Sequence, residues 1–582
     1  MTNYKTMKKY YLIISMILLG FPVFSQELLI PLNDDYEMEV QTAAYSSDYL
    51  FHTAMRGWSE SQFNAVTNLD SINELYRVEF HRKGKVANYI LNSFFNDDFL
   101  RVNNDKYYVA INPYIDFQVG SDSHRTTWVN TRGVEIKGTI GKMFAFYTNI
   151  KENQAVFPEY VDAYCATIKV VPGQGFANRF KKTGRDFTNA GAYLAFRPVK
   201  WFDATLGYGK NFIGDGYRSM MLSDNAANYP YLKLKADFWR IQYTCMYAQM
   251  TDRNTVMADN TYARKWAVIH YLDFAVTKRF NIGFFDAVMS AAQTHQQVMV
   301  NDTTYTTIDM RRGFDFQYIN PIIFLRSAEY YAGSSPDNAV LGVNMGFIIG
   351  KHTTIYGQFV LDEMTFKKFA TFKGSSQNKQ SYQLGVKSYD CFGVKNLFLQ
   401  LEGNVVRPYM YSHTPQGTEN SVGEDNYAHY NEPLAHPWGG NLWEMVARAQ
   451  YNWKRWYFQY KLNYGQYGDD WDVEKNEWAN YGHNVYNDYT TAVILDFDEN
   501  GNPAVDANGH LTGNGHYLLT GRKTTVMMND VVLSYLVNPA YNMNIFAEVA
   551  HRHFEAQGLD TQNDFIFSFG IRTSLDRKYY DF

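Results

Sequence analysis

Seven polar side chains in two parts of the chain could together line a lumen or form a surface site. They are Arg132, Glu135, Glu152 and Gln154 in strand-like runs, and Asp215, Arg218 and Asp224 in the glycine-rich residues 210–232, KNFIGDGYRSMMLSDNAANYPYL. Arginine binds carboxylate or phosphate groups through two parallel hydrogen bonds, and carboxylates and amides accept hydrogen bonds from sugar hydroxyls. The same charges could instead pair with one another and fill a barrel, whose interior is polar by default. We favour this second interpretation.

Two other loop sequences match known ion-binding motifs only in part. The sequence DFDENG at residues 496–501 matches the first half of a calcium-binding loop, but the position that requires a bidentate glutamate falls on Ala507. We therefore interpret it as a turn in a long loop. Gly209, Lys210 and Gly214 lack the Gly-Lys-Ser/Thr end of a phosphate-binding loop.

The histidines and cysteines also do not show the spacing of a metal site or of a disulfide framework. His429, His436, His510 and His516 lie in or near predicted loops, without the spacing that places two metal ligands on one helix. Three widely spaced cysteines do not form a disulfide framework. Cys245 shares a strand face with Trp239, Ile241, Tyr243 and Tyr247, and we interpret it as a small apolar side chain. We expect no metal, no cofactor and no enzymatic activity.

The stretch at 210–232 is a polar excursion between two strands. Residues 202–209 before it and 239–247 after it alternate polar and apolar side chains, which is typical of a strand with unlike faces. The same alternation recurs at 341–349, 354–362 and 565–573. Short turns near Gly350 and Asn452 alternate with long polar segments at 412–440 and 470–521. Outer-membrane barrels have short turns at one end and long loops at the other.

Composition supports a membrane barrel. The 582 residues are 46% apolar, yet the mean hydropathy is −0.39, so polar and apolar residues are interspersed. Aromatic residues make up 17% of the chain, as expected for the aromatic girdles of a barrel. A large soluble β-protein would have a similar composition, but the final amphipathic strand and a terminal phenylalanine favour the barrel. A net charge of −5 without a basic face excludes nucleic acid as a partner.

The first residues predict export. Lys8 and Lys9 precede an apolar run from Tyr10 to Phe24, which is the pattern of a secretory signal peptide cleaved after Ser25. We expect residues 1–25 to be this signal, residues 26–105 to form a small, partly helical element outside the barrel, and residues 106–582 to form the barrel. This first element would be periplasmic or folded into the barrel mouth.

Several motifs together resemble one family. They include Thr131-Arg132-Gly133, Val171-Pro172-Gly173-Gln174-Gly175, the string GDGYRSMMLSDNA and His436-Pro437-Trp438-Gly439. This set resembles a family of Bacteroidota outer-membrane barrels that includes the gliding-motility protein RemB and, more remotely, the capsule-assembly protein Wzi. The resemblance implies an all-β, transmembrane, antiparallel barrel of about 18 strands, within a range of roughly 14 to 20. It supplies no catalytic residues.

Two functions remain open from the sequence. The first is a non-enzymatic outer-membrane protein of cell-surface assembly or gliding motility, which binds a surface polysaccharide or proteins of a motility or secretion machinery. The second is a transport channel for a small solute or saccharide. A barrel enzyme would need a nucleophile, a base and an acid at the membrane rim, and we find no such set in the sequence.

Overall fold

A computed structural model describes most of the chain. The described residues are 28–33, 38–64, 74–80, 84–257, 260–301, 304–311, 313–321, 337–363, 373–413, 425–489, 492, 513–573 and 576–582. The predicted signal peptide, the DFDENG turn and His510 lie outside these residues.

Eighteen antiparallel strands form a closed barrel, as predicted. They are β1 (Tyr107–Ser121), β2 (Thr126–Ile140), β3 (Phe144–Val156), β4 (Gly184–Val199), β5 (Phe202–Gly209), β6 (Tyr229–Phe238), β7 (Ile241–Val256), β8 (Tyr262–Ala275), β9 (Phe280–Ala291), β10 (Asn338–Ile349), β11 (Thr353–Glu363), β12 (Lys379–Ser388), β13 (Leu397–Val406), β14 (Leu442–Trp453), β15 (Trp456–Asp469), β16 (Arg522–Asn538), β17 (Met543–Ala556) and β18 (Gln562–Arg572). Each pairs with the next, and β18 pairs with β1, where Phe569 lies opposite Val119.

The remaining elements are short. The helices that lie wholly within the described residues are α1 (Met38–Ala44), α2 (Glu60–Asn64), α3 (Lys85–Phe95) and α4 (Glu159–Ile168), with 3-10 turns at Phe316–Ile319 and Cys391–Gly393. Short strands occupy Leu100–Asn103, Val170–Val171, Gly175–Phe176, Asn178–Phe180, Gln293–Asn301, Thr304–Arg311, Ala428–His429, Glu432–Pro433, Trp471–Asp472 and Glu477–Trp478. Among the described residues, no helix is long and apolar enough to cross a membrane.

The outer surface of the wall is largely apolar. Successive side chains of a strand point to opposite faces of the sheet, and one face of most strands carries exposed apolar groups. Val119 on β1, Ile150 on β3, Leu206 on β5 and Phe569 on β18 are 50 to 62% exposed. A monomer in water rarely exposes so large an apolar surface, so this surface is built to face lipid.

The two ends of the barrel differ. At one end, short turns connect the strands, such as residues 141–143 between β2 and β3 and residues 454–455 between β14 and β15. At the other end, the connections include residues 210–228, 407–441 and 470–521. We call these the short-turn end and the long-loop end.

The N-terminal element packs into the mouth at the short-turn end. Tyr45, Trp58 and Phe63 are buried in a cluster with Tyr389 and Phe398 of the wall region. The strand Leu100–Asn103 pairs with β1. The sequence left open whether this element is periplasmic or folded into the mouth, and its contacts place it in the mouth. The domain boundaries at residues 25 and 105 stay predictions.

Candidate functional site

Residues 210–228 leave β5 at the long-loop end and enter the lumen before β6 begins. Nearly all their side chains are buried, and Arg218 is 0% exposed. Two glycines allow this close packing. Gly214 has a φ of 152°, and a Cβ on Gly216 would lie 2.4 Å from Glu402 Oε2 of β13. The excursion therefore lies against the inner wall of the barrel.

Arg218 is held between the wall and the C-terminal segment, residues 576–582. It donates to Glu444 of β14 from Nε at 3.0 Å and from Nη2 at 2.6 Å. Nη2 also donates to Asp581 Oδ1 at 3.0 Å. Burial raises the pKa of the Asp581 carboxyl, but Arg218 and Lys461 outweigh burial and hold that pKa below its ordinary value. A buried arginine is tolerated only when its charge is paired in this way.

Neighbouring groups satisfy the remaining lone pairs of the network. The backbone N–H groups of Tyr217 and Arg218 donate to the Glu402 carboxylate at 2.7 and 3.0 Å. His436 Nε2 donates to Glu444 at 2.9 Å, and the backbone N–H of Trp438 donates to His436 Nδ1. Burial lowers the pKa of His436, so the ring is a neutral donor. Within the described residues, Arg218 Nη1 is buried without a hydrogen-bond partner, so the network pairs the Nε and Nη2 groups of Arg218 but leaves Nη1 unsatisfied.

Asp215 ties the excursion to the N-terminal element. Its Oδ1 accepts hydrogen bonds from the Tyr45 hydroxyl at 2.9 Å and the Thr53 hydroxyl at 2.6 Å. Its Oδ2 accepts from Asn344 Nδ2 of β10 at 3.1 Å. The carboxylate thus joins three separate parts of the chain inside the barrel.

Asp224 and the C-terminal segment complete the filling. The Tyr579 hydroxyl donates to Asp224 Oδ1 at 2.6 Å, and Lys578 Nζ donates to Asp116 of β1 at 2.8 Å. Asp576 pairs with Lys151 of β3. Burial raises the pKa of Asp576, but Lys151 outweighs it and the pKa falls to about 2.

A hairpin at residues 428–433 supplies a second buried polar pair. His429 lies opposite Glu432 in register. The Thr251 N–H donates to His429 Nδ1 at 3.0 Å, so Nε2 carries the proton and donates to the Asn228 carbonyl at 3.2 Å. Burial lowers the pKa of His429 to about 3. Burial raises the pKa of Glu432, which accepts from the Gly173 N–H, to about 8.

A cavity lies between the C-terminal segment and the wall. Its volume is about 190 Å³, and its lining includes Lys461, Asp530, Glu548 and Arg572. This volume is large enough to hold ordered water. Charges of both signs line it, as expected for a hydrated gap in a packed polar interior.

The seven predicted site residues do not form one cluster. Asp215, Arg218 and Asp224 lie in the lumen, in the three contacts described above. Glu135 also faces inward, but near the short-turn end, where it accepts from Asn112 and Tyr147 at 3.2 Å each. Arg132, Glu152 and Gln154 instead face outward from β2 and β3. The interpretation that these three line the lumen is therefore wrong, because they share the strand face of Val134 and Ile150.

Sequence reasoning missed the residues that hold Arg218. Glu444 and Glu402 lie in strands whose alternation places them on the inner face, which is a signal that the sequence does contain. Asp581 gave no signal, because nothing local shows that residues 576–582 turn back into the lumen. Phe582 packs there against Tyr164, with ring centroids 4.5 Å apart. Phe582 lies beyond the end of β18 at Arg572.

Cys245 also differs from its interpretation as a plain apolar side chain. It faces outward, where its Sγ lies 3.2 Å from His270 Nε2. Both are buried because residues 314–321 fold over the outer wall. Tyr247 fixes this segment by donating to the Ile319 carbonyl at 2.8 Å. Within the described residues, no group of three or more His, Cys, Asp or Glu side chains could hold a metal ion.

The fold defines a class of protein, the outer-membrane β-barrels. Among solved structures, the chain is similar to Wzi of Escherichia coli, an outer-membrane protein involved in group 1 capsule assembly and described as a carbohydrate-binding β-barrel. The two share 12% identity at a TM-score of 0.50, covering 94% of this chain and 99% of Wzi.

Two further solved structures are also similar. OprD of Pseudomonas aeruginosa has a TM-score of 0.39 and 11% identity, covering 79% of this chain and 94% of OprD. OccAB2 of Acinetobacter baumannii has a TM-score of 0.39 and 9% identity, covering 80% of this chain and 97% of OccAB2. No protein-family model and no curated protein matches the chain.

Proposed function

We propose that this chain is a non-enzymatic barrel of the bacterial outer membrane that takes part in cell-surface assembly or gliding motility. It would do so by binding a surface polysaccharide or a partner protein. The observation that carries the proposal is the buried Arg218–Glu444–Asp581 network, in which the excursion, the wall and the C-terminal segment meet. A lumen filled in this way suits a rigid platform better than a conduit.

The outer-membrane location rests on the lipid-facing wall. Within a bilayer only a closed barrel satisfies all the backbone hydrogen bonds of its strands. Export through a signal peptide cleaved after Ser25 is part of the proposal, since an outer-membrane barrel has to cross the inner membrane first.

The long-loop end offers groups that suit a sugar chain. Trp478 and Tyr517 are 57% and 55% exposed there, and Glu477 beside Trp478 is also exposed. Aromatic faces present apolar surface with a polar edge, and carboxylates accept hydrogen bonds from hydroxyl groups. The carbohydrate binding attributed to Wzi supports the choice of a polysaccharide.

Binding of purified surface polysaccharide to the protein in nanodiscs tests this choice. We expect Trp478→Ala to weaken binding at least fivefold. Trp201→Ala is the matched control, because Trp201 is 58% exposed but lies at the short-turn end between β4 and β5. Equal affinity of the wild type and Trp478→Ala, or equal weakening by both substitutions, would argue against a polysaccharide site at the long-loop end.

A gene deletion tests the cellular role. We expect the deletion strain to lose surface spreading or retention of its capsule, and to regain it when the wild-type gene is restored. Normal spreading and normal capsule retention in the deletion strain would remove the basis for a role in surface assembly. The alternative function, a transport channel, predicts a steady ionic conductance instead.

A further inference from the structure

Six polar side chains lie together on the outward face of β2, β3 and β4. They are Asn130, Arg132, Glu152, Gln154, Asp186 and Thr188, and we call them the polar stripe. Strand register makes them neighbours. Arg132 lies opposite Glu152, which lies opposite Thr188, and Asn130 lies opposite Gln154, which lies opposite Asp186. This grouping contrasts with the exposed apolar side chains of the same strands near the short-turn end, such as Ile140 and Phe144.

The stripe borders the lipid-facing band. Arg132 lies opposite Ile115 of β1, and the next outward residues along β2 and β3 towards the short-turn end are Val134 and Ile150, which are 36% and 55% exposed. A charged side chain on the lipid face of a barrel is destabilising to a degree that depends on its depth, greatest for arginine and lysine at the bilayer midplane and small near the interfaces. The cost is removed when another protein surface covers the charge.

Arg132 lacks a counter-charge within the part of the chain that the structure describes. Although Glu152 lies opposite in register, no ion pair within 4.0 Å joins Arg132 to a carboxylate of the described residues. Its guanidinium, with five hydrogen-bond donors, points away from the barrel. A partner that meets this surface must therefore supply an acceptor to Arg132.

The charges of the polar stripe indicate which kind of partner fits it. A phosphorylated lipid headgroup would pair with Arg132 but would be repelled by Glu152 and Asp186. A second copy of the chain fits both signs. A two-fold axis brings the same surface of the two copies together so that residue i of one copy contacts residue j of the other, and j contacts i. A positive residue of one copy can therefore lie against a negative residue of the other. Arg132 of each copy then meets Glu152 of the other, and Asn130 and Gln154 pair through their amides.

We propose that the polar stripe is a two-fold interface through which two copies of this barrel associate in the membrane. The interface is independent of ligand binding at the long-loop end. It accounts for three residues of the predicted site, Arg132, Glu152 and Gln154, that the fold turns away from the lumen.

Cross-linking in intact cells tests the proposal. A Gln154→Cys variant treated with a short bis-maleimide is expected to give a covalent dimer. Adding Arg132→Glu to this variant places like charges across the axis, and we expect the cross-linked fraction to fall at least fivefold. Adding Glu152→Arg as well restores opposite signs and should recover the dimer. Heat-modifiable mobility on a gel reports whether each variant is folded.

The control is Arg264→Glu, since Arg264 is an exposed residue of β8 on a different part of the wall. We expect it to leave the cross-linked fraction unchanged. Absence of a dimer in the Gln154→Cys variant would overturn the proposal, as would equal effects of Arg132→Glu and Arg264→Glu. A cross-link to a different protein, or a phosphorylated lipid retained in native mass spectra and lost with Arg132→Glu, would overturn it in favour of that partner.

Discussion

The Arg218 guanidinium donates two hydrogen bonds to the Glu444 carboxylate at a point where both side chains are 0% exposed. Arg218 belongs to the glycine-rich excursion and Glu444 to strand β14, so this pair connects the filling of the barrel to its wall. Breaking a buried ion pair leaves the remaining charge without compensation, which costs about 3–5 kcal/mol.

We therefore expect Arg218→Ala to lower the free energy of unfolding by about 3–5 kcal/mol. Urea titration of the purified protein measures this change. The heat-modifiable mobility of the protein on a gel reports the folded fraction at each urea concentration. Arg218→Lys keeps the charge but loses the bidentate geometry, so its loss should be smaller. An unchanged unfolding midpoint for Arg218→Ala would mean that the pair does not hold the excursion in place.

The C-terminal segment should be energetically coupled to the excursion. In a double-mutant cycle, Arg218→Gln and Asp581→Asn are expected to be non-additive by about 1 kcal/mol or more, because residues in one ionic network share an interaction energy. Arg218→Gln with Asp186→Asn is the control pair and should be additive, since Asp186 faces outward. Additivity of the first pair would show that Asp581 does not contact Arg218 in the folded protein.

Gly216 should not tolerate a side chain. A Cβ there would lie 2.4 Å from Glu402 Oε2, the acceptor of the Tyr217 N–H. We expect Gly216→Ala to destabilise the protein by about 1–3 kcal/mol through overpacking. Gly403→Ala on the outer face of β13, where the nearest atom lies 4.0 Å away, is the control. Equal unfolding midpoints of the two variants would contradict the close packing of Gly216 against Glu402.

His429 should make stability depend on pH. Its pKa is about 3 in the folded protein because of burial, against about 6.5 when unfolded. Below pH 6.5 the unfolded chain binds the extra proton, so stability falls as the pH falls towards 3. Between pH 6.5 and 5 we expect a loss of about 2 kcal/mol.

Urea midpoints measured across this range, for the wild type and for His429→Gln, isolate the contribution of His429. The variant cannot titrate at this position and should show a shallower dependence on pH. If both proteins show the same slope between pH 6.5 and 5, then His429 is not the buried neutral group described above.

The sequence predicted the wall of the barrel better than its filling. Alternation with period two follows directly from strand geometry, so the faces of residues 341–349 and 565–573 could be predicted from local sequence. The contacts of Arg218 could not, because Glu444 and Asp581 are 226 and 363 residues away along the chain. The alternation of β2 also places the side chains of Glu135 and Arg132 on opposite faces of the strand. The local sequence therefore already indicates that these two residues do not belong to one site.

The excursion, the N-terminal element and the C-terminal segment together fill the lumen of the barrel. The conductance of the purified full-length protein in planar lipid bilayers shows whether this filling closes the barrel. We predict insertion without a steady open channel, because the buried Arg218 network lies across the interior. A reproducible open conductance of constant size, in protein that shows the folded mobility, would contradict this account and favour a transport channel.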